Sequence, residues 1–478
     1  MKVLLISPAL TAVERYGSDL GKVGPSTEPL GLAYLASAVR NAGHEVVILD
    51  CEPLKYSSSD VIKFMKDAAF DVAGISFMTP MYLNAVQLIK KIRKAFPKVI
   101  IVVGGAHVTI MPDVTLKENP AIDYAVIGEG EVSFVGLLRT LGRGEDVGAV
   151  KGISFRKEGK VVFTPPQEFV KDIDSLDLPA RDLLPMEKYC PAPTYYKRLP
   201  AYIILSSRGC PYRCTYCSKI SGRLYRHHSV GRVMEEVGLL IDKYGAREII
   251  FRDDTFTVDK SFVRQLCAEI IRRKINKKVE WTCMTRVNLV DKSLLQLMRK
   301  AGCWGIHFGV ESGSQRLLDL IEKDITIEQV KKVFRWTREV GIETKAFFML
   351  GLPTETYEDS IRTIEFAKEL DPDWVQFTIT IPYPGTKLYD IAKANGTLKS
   401  LNWEDYQTWA GWSDKDLVYV PEGRSGKELK YLQKKAMRSF YLRPKVAFRL
   451  IFKLRSFGMI KKFFLGGWAL VKSAFRRN

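Results

Sequence analysis

The first 145 residues alternate between short apolar runs and longer segments in which apolar residues recur every three or four positions. The short runs predict buried strands, and they span 2–7, 45–49, 72–76, 98–103 and 124–127. The longer segments predict helices, and they span 30–42, 60–69 and 82–95, with another opening at 128–131. Strands and helices that alternate in this way predict a Rossmann-like α/β domain built on a doubly wound parallel sheet.

A second alternating region begins at residue 201. Its predicted strands span 201–206, 248–252, 279–284, 305–310, 344–350 and 374–381. Its predicted helices include 230–244, 260–273, 291–301, 326–340 and 357–369. Six such units predict a partial (β/α)6 barrel of the TIM type. Between the two regions, a short hairpin and a proline-rich extended segment form a connector.

These patterns divide the chain into four parts. We expect a first domain over 1–145, a connector over 146–200, a barrel over 201–420 and a basic helical tail over 421–478. The first strand is not followed by G-x-G-x-x-G, which argues against a dinucleotide as the ligand of the first domain.

Three cysteines stand directly after the first barrel strand, in SSRGCPYRCTYCSK (206–219). Cys210, Cys214 and Cys217 can bind three irons of a cubane cluster, which leaves the fourth iron without a protein ligand. Catalytic metal sites keep such an open position, whereas structural sites close it. Structural zinc is the alternative, and it would need His227 or His228 as a fourth ligand.

Charged residues and glycines follow the later strands of the barrel, where the active sites of such barrels lie. The polar and charged residues at these ends are Asp253, Asp254, Arg286, Glu311, Ser312 and Glu355. Gly351 precedes Glu355 in the same loop. One charged residue in a loop is normally just solvated, but a series of them at successive strand ends indicates a ligand site.

The spacing C-x3-C-x-aromatic-C, completed by Tyr216, resembles the signature of the radical S-adenosylmethionine (SAM) superfamily. The resemblance implies a [4Fe–4S] cluster whose open iron chelates SAM, and a 5′-deoxyadenosyl radical that removes a substrate hydrogen. It also implies SAM contacts from Tyr216 and from the strand-end residues named above. This chain has DDTF where the family often has a GGE-like element, so the roles of Asp253 and Asp254 carry over only approximately.

The first domain, with its GGAH and GEGE loops, is similar to that of the cobalamin-binding class of radical SAM enzymes, a resemblance that covers residues 1–420. It implies cobalamin as a further cofactor and an electron donor such as flavodoxin, ferredoxin or a reductase. The implied corrin contacts are Gly104, Gly105, His107, Gly128 and Glu129. The motif D-x-H-x-x-G is absent from the sequence, so we expect the cobalt to lack a histidine ligand from the protein.

The net charge of +19 is concentrated in the tail, because Arg424–Asn478 holds 16 Lys or Arg and one acidic residue. Phenylalanine, tryptophan and aliphatic residues recur there at helical spacing, which favours an amphipathic helix on a membrane surface. Nucleic-acid binding and partner docking are the alternatives. A membrane-facing tail in turn favours a lipid-like substrate.

No apolar stretch is long enough to span a bilayer, and the N-terminus lacks the features of a signal peptide. We therefore expect a cytoplasmic enzyme that is peripheral at the inner face of the membrane and does not bind nucleic acid. The resemblance, which extends to the lipid- and tetrapyrrole-modifying branch with its cyclases and methyltransferases, implies methylation, cyclisation or rearrangement at an unactivated carbon of a lipid-like or polycyclic substrate. The alternatives are a methylthiotransferase-like enzyme that acts on RNA or protein, and a cobalamin or lipid sensor without activity.

Overall fold

The structure is a computed structural model of the 478-residue chain, and it describes residues 1–10, 25–406, 412 and 415–453. The described chain divides into two compact units. The N-terminal unit holds Ser26–Tyr189 with the start of the chain and Asn402–Glu404. The second unit holds Cys190–Leu401 and the described residues from Asp405 onward.

The N-terminal unit is built on a seven-stranded sheet in the order β2-β1-β3-β4-β5-β6-β7. Its strands are β1 (Lys2–Ser7), β2 (Glu45–Asp50), β3 (Val72–Ser76), β4 (Ile100–Gly104), β5 (Tyr124–Val126), β6 (Ile153–Lys157) and β7 (Lys160–Phe163). The first five strands are parallel, which confirms the predicted doubly wound sheet. The hairpin β6–β7, predicted as part of the connector, pairs antiparallel with β5 and so satisfies an edge that would otherwise be unpaired.

Helices connect the parallel strands of this unit. They are α1 (Leu30–Asn41), α2 (Cys51–Leu54), α3 (Ser58–Asp67), α4 (Tyr82–Ala95), α5 (Ala106–Ile110), α6 (Pro112–Glu118) and α7 (Gly130–Arg143). The chain leaves β1 toward β2 on one side and reaches β3 on the other. Ligands of open α/β sheets bind beyond the strand ends at such a reversal of order.

The second unit is built on six parallel strands in the order β15-β14-β13-β12-β11-β8. They are β8 (Ala201–Ile204), β11 (Glu248–Phe251), β12 (Glu280–Thr285), β13 (Cys303–Glu311), β14 (Glu343–Leu350) and β15 (Trp374–Ile379). A two-stranded ribbon, β9 (Ser207–Arg208) and β10 (Arg226–His227), stands at the start of this unit. The helices are α8 (Val230–Tyr244), α9 (Lys260–Arg272), α10 (Lys292–Lys300), α11 (Gln315–Leu320), α12 (Ile327–Val340), α13 (Tyr357–Leu370), α14 (Lys387–Ala394), α15 (Gly426–Tyr441) and α16 (Pro444–Lys453).

This sheet has a helix-covered outer face and an inner face. Its strands follow one another in space as they do in the chain, and right-handed crossovers then place the connecting helices on one side. Phe308 on β13 lies 5.5 Å from Phe334 on α12, centroid to centroid, so it marks the outer face. Because side chains alternate along a strand, His307 and Gly309 belong to the inner face.

The first helix of the tail packs on the second unit, which corrects its predicted role at a membrane. Helix α15 buries Leu429, Leu432 and Phe440, and Gln433 donates to the carbonyl of Phe377 on β15. Val446 on α16 is also buried, and Phe448 is 65% exposed. The rest of the predicted amphipathic segment, 454–478, lies outside the described residues. Among the described residues, no helix has both the length and the apolar content needed to cross a bilayer.

Candidate active site

The cysteine loop runs between the two strands of the ribbon β9–β10. Gly209 begins it with a φ of +84°, and a Cβ at this position would lie 2.2 Å from the carbonyl oxygen of Leu224. The amide of Cys210 donates to the carbonyl of Gly222, and the amide of Thr215 donates to that of Ile321. The loop is therefore held in a compact form that requires glycine before the first cysteine.

The loop brings the three thiols close to one another. Although Cys217 reaches the surface, desolvation of its thiol, together with the neighbouring Cys214 and Cys210, raises its pKa to about 11. Cys210 Sγ lies 3.5 Å from the hydroxyl of Thr255. A cation at this position would compensate the Cys217 thiolate, and three neighbouring thiols are the donor set of an iron cluster with one open iron.

Arg286 holds a cysteine in place. Its Nη1 donates to Cys214 Sγ at 3.1 Å, its Nη2 donates to the carbonyl of Lys323, and its guanidinium lies 3.9 Å above the ring of Tyr212. This residue, predicted to contact SAM, thus brings a positive charge to a thiol.

Glu311 forms a buried pair with Lys323, a residue that the sequence analysis missed. Lys323 Nζ lies 2.6 Å from Glu311 Oε1, and the hydroxyl of Tyr216 donates to the same oxygen at 2.9 Å. A Cβ on Gly309 would lie 2.3 Å from that oxygen, so glycine leaves the space that the pair occupies. Lys323 has no motif around it, and only the fold brings it to this site.

The two adjacent aspartates differ in environment. Asp253 is 1% exposed and accepts from the hydroxyls of Ser206 and Ser207, and burial raises its pKa to about 6. Asp254 is exposed, and its negative charge raises the pKa of Cys217 further. Asp254 therefore offers a carboxylate to a ligand beside the cysteines, whereas Asp253 supports the loop.

The remaining predicted residues of this unit are buried and contact neighbouring loops and helices. Ser312 is fully buried and contacts Thr363. Gly351 has a φ of +79°, and a Cβ there would meet Leu429 on α15 at 3.1 Å. Glu355 accepts from the amide of Leu352 and from the hydroxyl of Ser360, and burial raises its pKa to about 7.

The histidines of the zinc alternative make other contacts. His227 Nε2 lies 3.5 Å from Asp259, and its ring packs on Phe262. The amide of His228 donates to the carbonyl of Ser206. Within the described ranges, no three His, Cys, Asp or Glu side chains are grouped so that they could hold a single metal ion.

In the N-terminal unit, glycines shape the loops that follow β4 and β5. Gly105 has a φ of +92°, and a Cβ there would collide with Ser76 and Phe77. Gly104 and Gly128 have more space, and nothing lies within 4 Å of a Cβ built on Gly128, whose φ is +83°. The amide of Val170 donates to Glu129 at 3.3 Å. The amide of Gly128 donates to the hydroxyl of Thr109, and the open space beside Gly128 fits a large flat ligand at the strand ends.

His107 lies inside this unit and is fully buried. Its Nδ1 lies 3.1 Å from the hydroxyl of Thr79, and rings of Phe77, Tyr82 and Trp403 surround it. Burial lowers its pKa to about 4, so the imidazole is neutral. The imidazole of His107, predicted as a corrin contact, is therefore enclosed by aromatic rings inside the unit.

Two family models match the chain. The model of the B12 binding domain matches residues 18–138, and the model of the radical SAM superfamily matches residues 204–367. The second match includes all three cysteines of the loop and most of the parallel strands of the second unit.

Two curated relatives are similar over most of the chain. An uncharacterized methyltransferase of Pyrococcus horikoshii is 38% identical over 96% of both chains. An anaerobic magnesium-protoporphyrin IX monomethyl ester cyclase of Rubrivivax gelatinosus is 31% identical over 81% of this chain and 69% of its own length.

Two solved structures share the fold. The radical SAM methyltransferase TsrM of Kitasatospora setae aligns with a TM-score of 0.70 at 22% identity, covering 90% of this chain and 82% of its own. The cobalamin-dependent enzyme OxsB aligns with a TM-score of 0.66 at 18% identity, covering 92% of this chain and 61% of its own.

Proposed function

Because the chain belongs to the cobalamin-dependent radical SAM enzymes, whose cofactors are a [4Fe–4S] cluster, SAM and cobalamin, we propose that it methylates an unactivated carbon of a lipid-like or polycyclic substrate. The observation that carries the proposal is the full-length similarity to the Pyrococcus horikoshii methyltransferase. Both units are included in that similarity, so the barrel and the cobalamin-binding domain have been kept together.

The proposed reaction centre consists of the three cysteines of the loop and the arginine that contacts one of them. Cys210, Cys214 and Cys217 would hold the cluster, while Arg286 positions Cys214. When bound, the cluster supplies the electron that cleaves SAM to a 5′-deoxyadenosyl radical, and cobalamin supplies the methyl group. That electron comes from a donor of the flavodoxin or ferredoxin class.

The SAM contacts are proposed from the accessibility of their polar atoms. Asp254 is exposed beside the cysteines and suits the amino group of SAM. Glu311, Lys323 and Tyr216 form one hydrogen-bonded group that fixes the adjacent wall. Asp253, Ser312 and Glu355 act as positioning residues, since their described contacts hold the loops.

In the N-terminal unit, we assign the corrin contacts to the loops that contain Gly104, Gly105, Gly128 and Glu129. The open space at Gly128 supports this assignment. His107 would act through packing, because the aromatic rings around it leave the imidazole buried.

Membrane association belongs to residues 454–478 in this proposal, since α15 uses its apolar face for packing. That segment holds Phe457, Phe463, Phe464 and Trp468 among lysines and arginines. A chain that ends after Lys453 should fail to co-sediment with anionic liposomes that retain the full chain. Equal retention of both chains would contradict this part of the proposal.

Cyclisation is the second candidate, because a relative that is 31% identical is a cyclase. The two reactions differ in the fate of the methyl group of SAM. The test incubates the reconstituted enzyme anaerobically with cobalamin, a reductant and SAM deuterated in its methyl group. The substrate is supplied as the lipid and pigment fraction extracted from a strain in which the gene for this protein is deleted, where the unmodified precursor should accumulate.

We expect one compound in that fraction to gain a trideuteromethyl group while 5′-deoxyadenosine accumulates. A product that forms without the label would contradict methylation and favour cyclisation. Absence of 5′-deoxyadenosine would contradict both reactions.

A further inference from the structure

Four side chains from adjacent strands lie level with one another on the inner face of the second sheet. Met284 on β12 pairs with His307 on β13, and His307 pairs with Lys345 on β14. Arg252 follows β11 and donates to Met284 Sδ at 3.5 Å. Because paired residues of parallel strands point to the same face, this level holds two cations and a histidine.

Tyr195 packs against this level from the segment that precedes β8. The ammonium of Lys345 lies 4.8 Å from the centre of its ring, and the guanidinium of Arg252 lies 4.9 Å from it. His307 is 3% exposed, its ring lies 4.4 Å from that of Tyr195, and its Nδ1 has no hydrogen-bond partner. The cluster of Tyr195, Arg252, His307 and Lys345 is here called the inner cationic cluster.

The two cations lack a carboxylate. In the part of the chain that the structure describes, neither Arg252 nor Lys345 forms an ion pair. Both hydrogen-bond the hydroxyl of Tyr195, Lys345 also contacts the hydroxyl of Thr194, and Arg252 also contacts Met284 Sδ. The glutamates at the starts of the same strands are engaged elsewhere, since Glu343 pairs with Lys197.

The titration of the cluster agrees with an uncompensated positive charge. Burial alone would raise the pKa of the Tyr195 phenol, yet Lys345 and Arg252 lower it below its ordinary value. Burial, with Arg252 nearby, lowers the pKa of Lys345. Lys345 is 6% exposed, so water compensates its charge poorly.

We propose that the inner cationic cluster binds an anionic oxygen group of the substrate, a carboxylate or a phosphate-type group, through Arg252 and Lys345. Arg252 is exposed and can form a bidentate contact with the anion. The buried ammonium of Lys345 supplies a point charge beside it. Burial lowers the pKa of His307 well below its ordinary value, so its neutral ring packs on Tyr195 as a wall of the site and adds no charge. This inference rests on the proposed function, because it describes the substrate of the same barrel.

The position of the cluster constrains the length of the substrate. Tyr216 of the cysteine loop and Met349 pack against the same hydrophobic cluster, and Met349 lies four residues beyond Lys345 on β14. At about 3.3 Å per residue, this separation is about 13 Å along the barrel. A substrate anchored at Lys345 would therefore have to extend about that far from its anionic group to reach the level of the cysteine loop.

The test measures binding of small anions to the full chain with its cluster reconstituted. Isothermal titration calorimetry at low ionic strength compares benzoate and phenylphosphonate with uncharged benzamide. We expect both anions to bind at one site and benzamide to bind at least tenfold more weakly. The stronger of the two anions identifies a carboxylate or a phosphate-type group.

Single substitutions locate the site. Lys345→Met and Arg252→Met should each weaken anion binding roughly tenfold to a hundredfold, as loss of a charge-assisted hydrogen bond does. Arg252→Lys, which keeps the charge, should retain part of the binding. Lys292→Met removes a lysine that pairs with Glu339 on the outer side, and it should bind as the wild type does.

Several results would overturn the inference. They are equal binding of benzamide and the anions, unchanged binding in both methionine variants, and displacement of the anions by SAM, which would assign the cations to the cofactor. Cleavage of SAM by the same wild-type preparation separates the two proposals. If the wild-type protein cleaves SAM but does not bind the anions, only this inference is rejected. If it does not cleave SAM, the proposed function is rejected.

Discussion

At the scale of single residues, the cysteine loop depends on charges that its own motif does not contain. Arg286 comes from the end of β12 and reaches Cys214, and Lys323 comes from the loop before α12 and reaches Glu311. The sequence identifies the cysteines by their spacing, but Lys323 stands in no pattern. Its role arises because the fold brings the ends of several strands together.

Arg286→Met should impair retention of the cluster. The change removes a hydrogen bond from a charged donor to the Cys214 sulfur, an interaction that contributes about 1.5–3 kcal/mol. Visible absorbance after reconstitution and gel filtration would measure the loss. Arg299→Met, at an exposed position in the last turn of α10, serves as the control, and equal absorbance in the two variants would contradict the assigned role.

Gly309→Ala should separate Glu311 from Lys323, because the new methyl group would lie 2.3 Å from Glu311 Oε1 and 2.7 Å from Lys323 Nζ. We expect the free energy of unfolding to fall by about 1–3 kcal/mol. Gly238→Ala is the matched control, since it lies within α8 with nothing near its Cβ, and it should stabilise by about 0.5–1 kcal/mol. Denaturant unfolding measures both, and equal effects would refute the steric account.

Glu355→Gln should remove part of the pH dependence of stability. The folded state raises the pKa of Glu355 from 4.5 to about 7, so between these values it binds more protons than the unfolded state. Its contribution is present below about pH 4.5 and is lost as pH rises through 7. Between pH 4.5 and 8, the free energy of unfolding of the wild type should fall by up to about 3 kcal/mol more than that of the variant.

Unfolding by guanidinium at a series of pH values gives this comparison. Glu358→Gln, at the exposed start of α13, is the control and should follow the wild type. Parallel pH profiles for the wild type and Glu355→Gln would show that the carboxyl titrates alike in both states.

At the scale of elements, the first helix of the tail belongs to the packed second unit. Deletion from Gly426 should destabilise the barrel, because α15 covers β15 with Leu429, Leu432 and Phe440. Deletion after Lys453, which keeps α15 in place, should lower the melting temperature less. The two truncations can be compared by thermal unfolding, and equal stability would contradict the packing of α15.

The strands and long helices could be predicted from the sequence because the strands of the first sheet are apolar runs and apolar residues recur in the helices every three or four positions. Boundaries shifted by one to three residues, as for the strand predicted at 98–103 and found at Ile100–Gly104. The pairing of β6 with β5 and the packing of α15 on β15 were not predictable. Both depend on edges that exist only in the assembled sheets.

At the scale of the whole molecule, the net charge of +19 does not describe a uniformly basic protein. Most of the excess lies after Arg424, and some of those side chains are used inside the fold, since Arg443 and Arg449 contact Asp371. The cofactors follow from the two matched domains, whereas the substrate depends on features such as the inner cationic cluster, which are visible only in three dimensions.

Electron paramagnetic resonance of the reduced, anaerobically reconstituted enzyme tests the central claim most directly. The account predicts a [4Fe–4S] signal that changes when SAM is added and that is absent when Cys214 is replaced by alanine. A signal that ignores SAM, or a SAM-responsive signal that persists in Cys214→Ala, would contradict a three-cysteine cluster with an open iron.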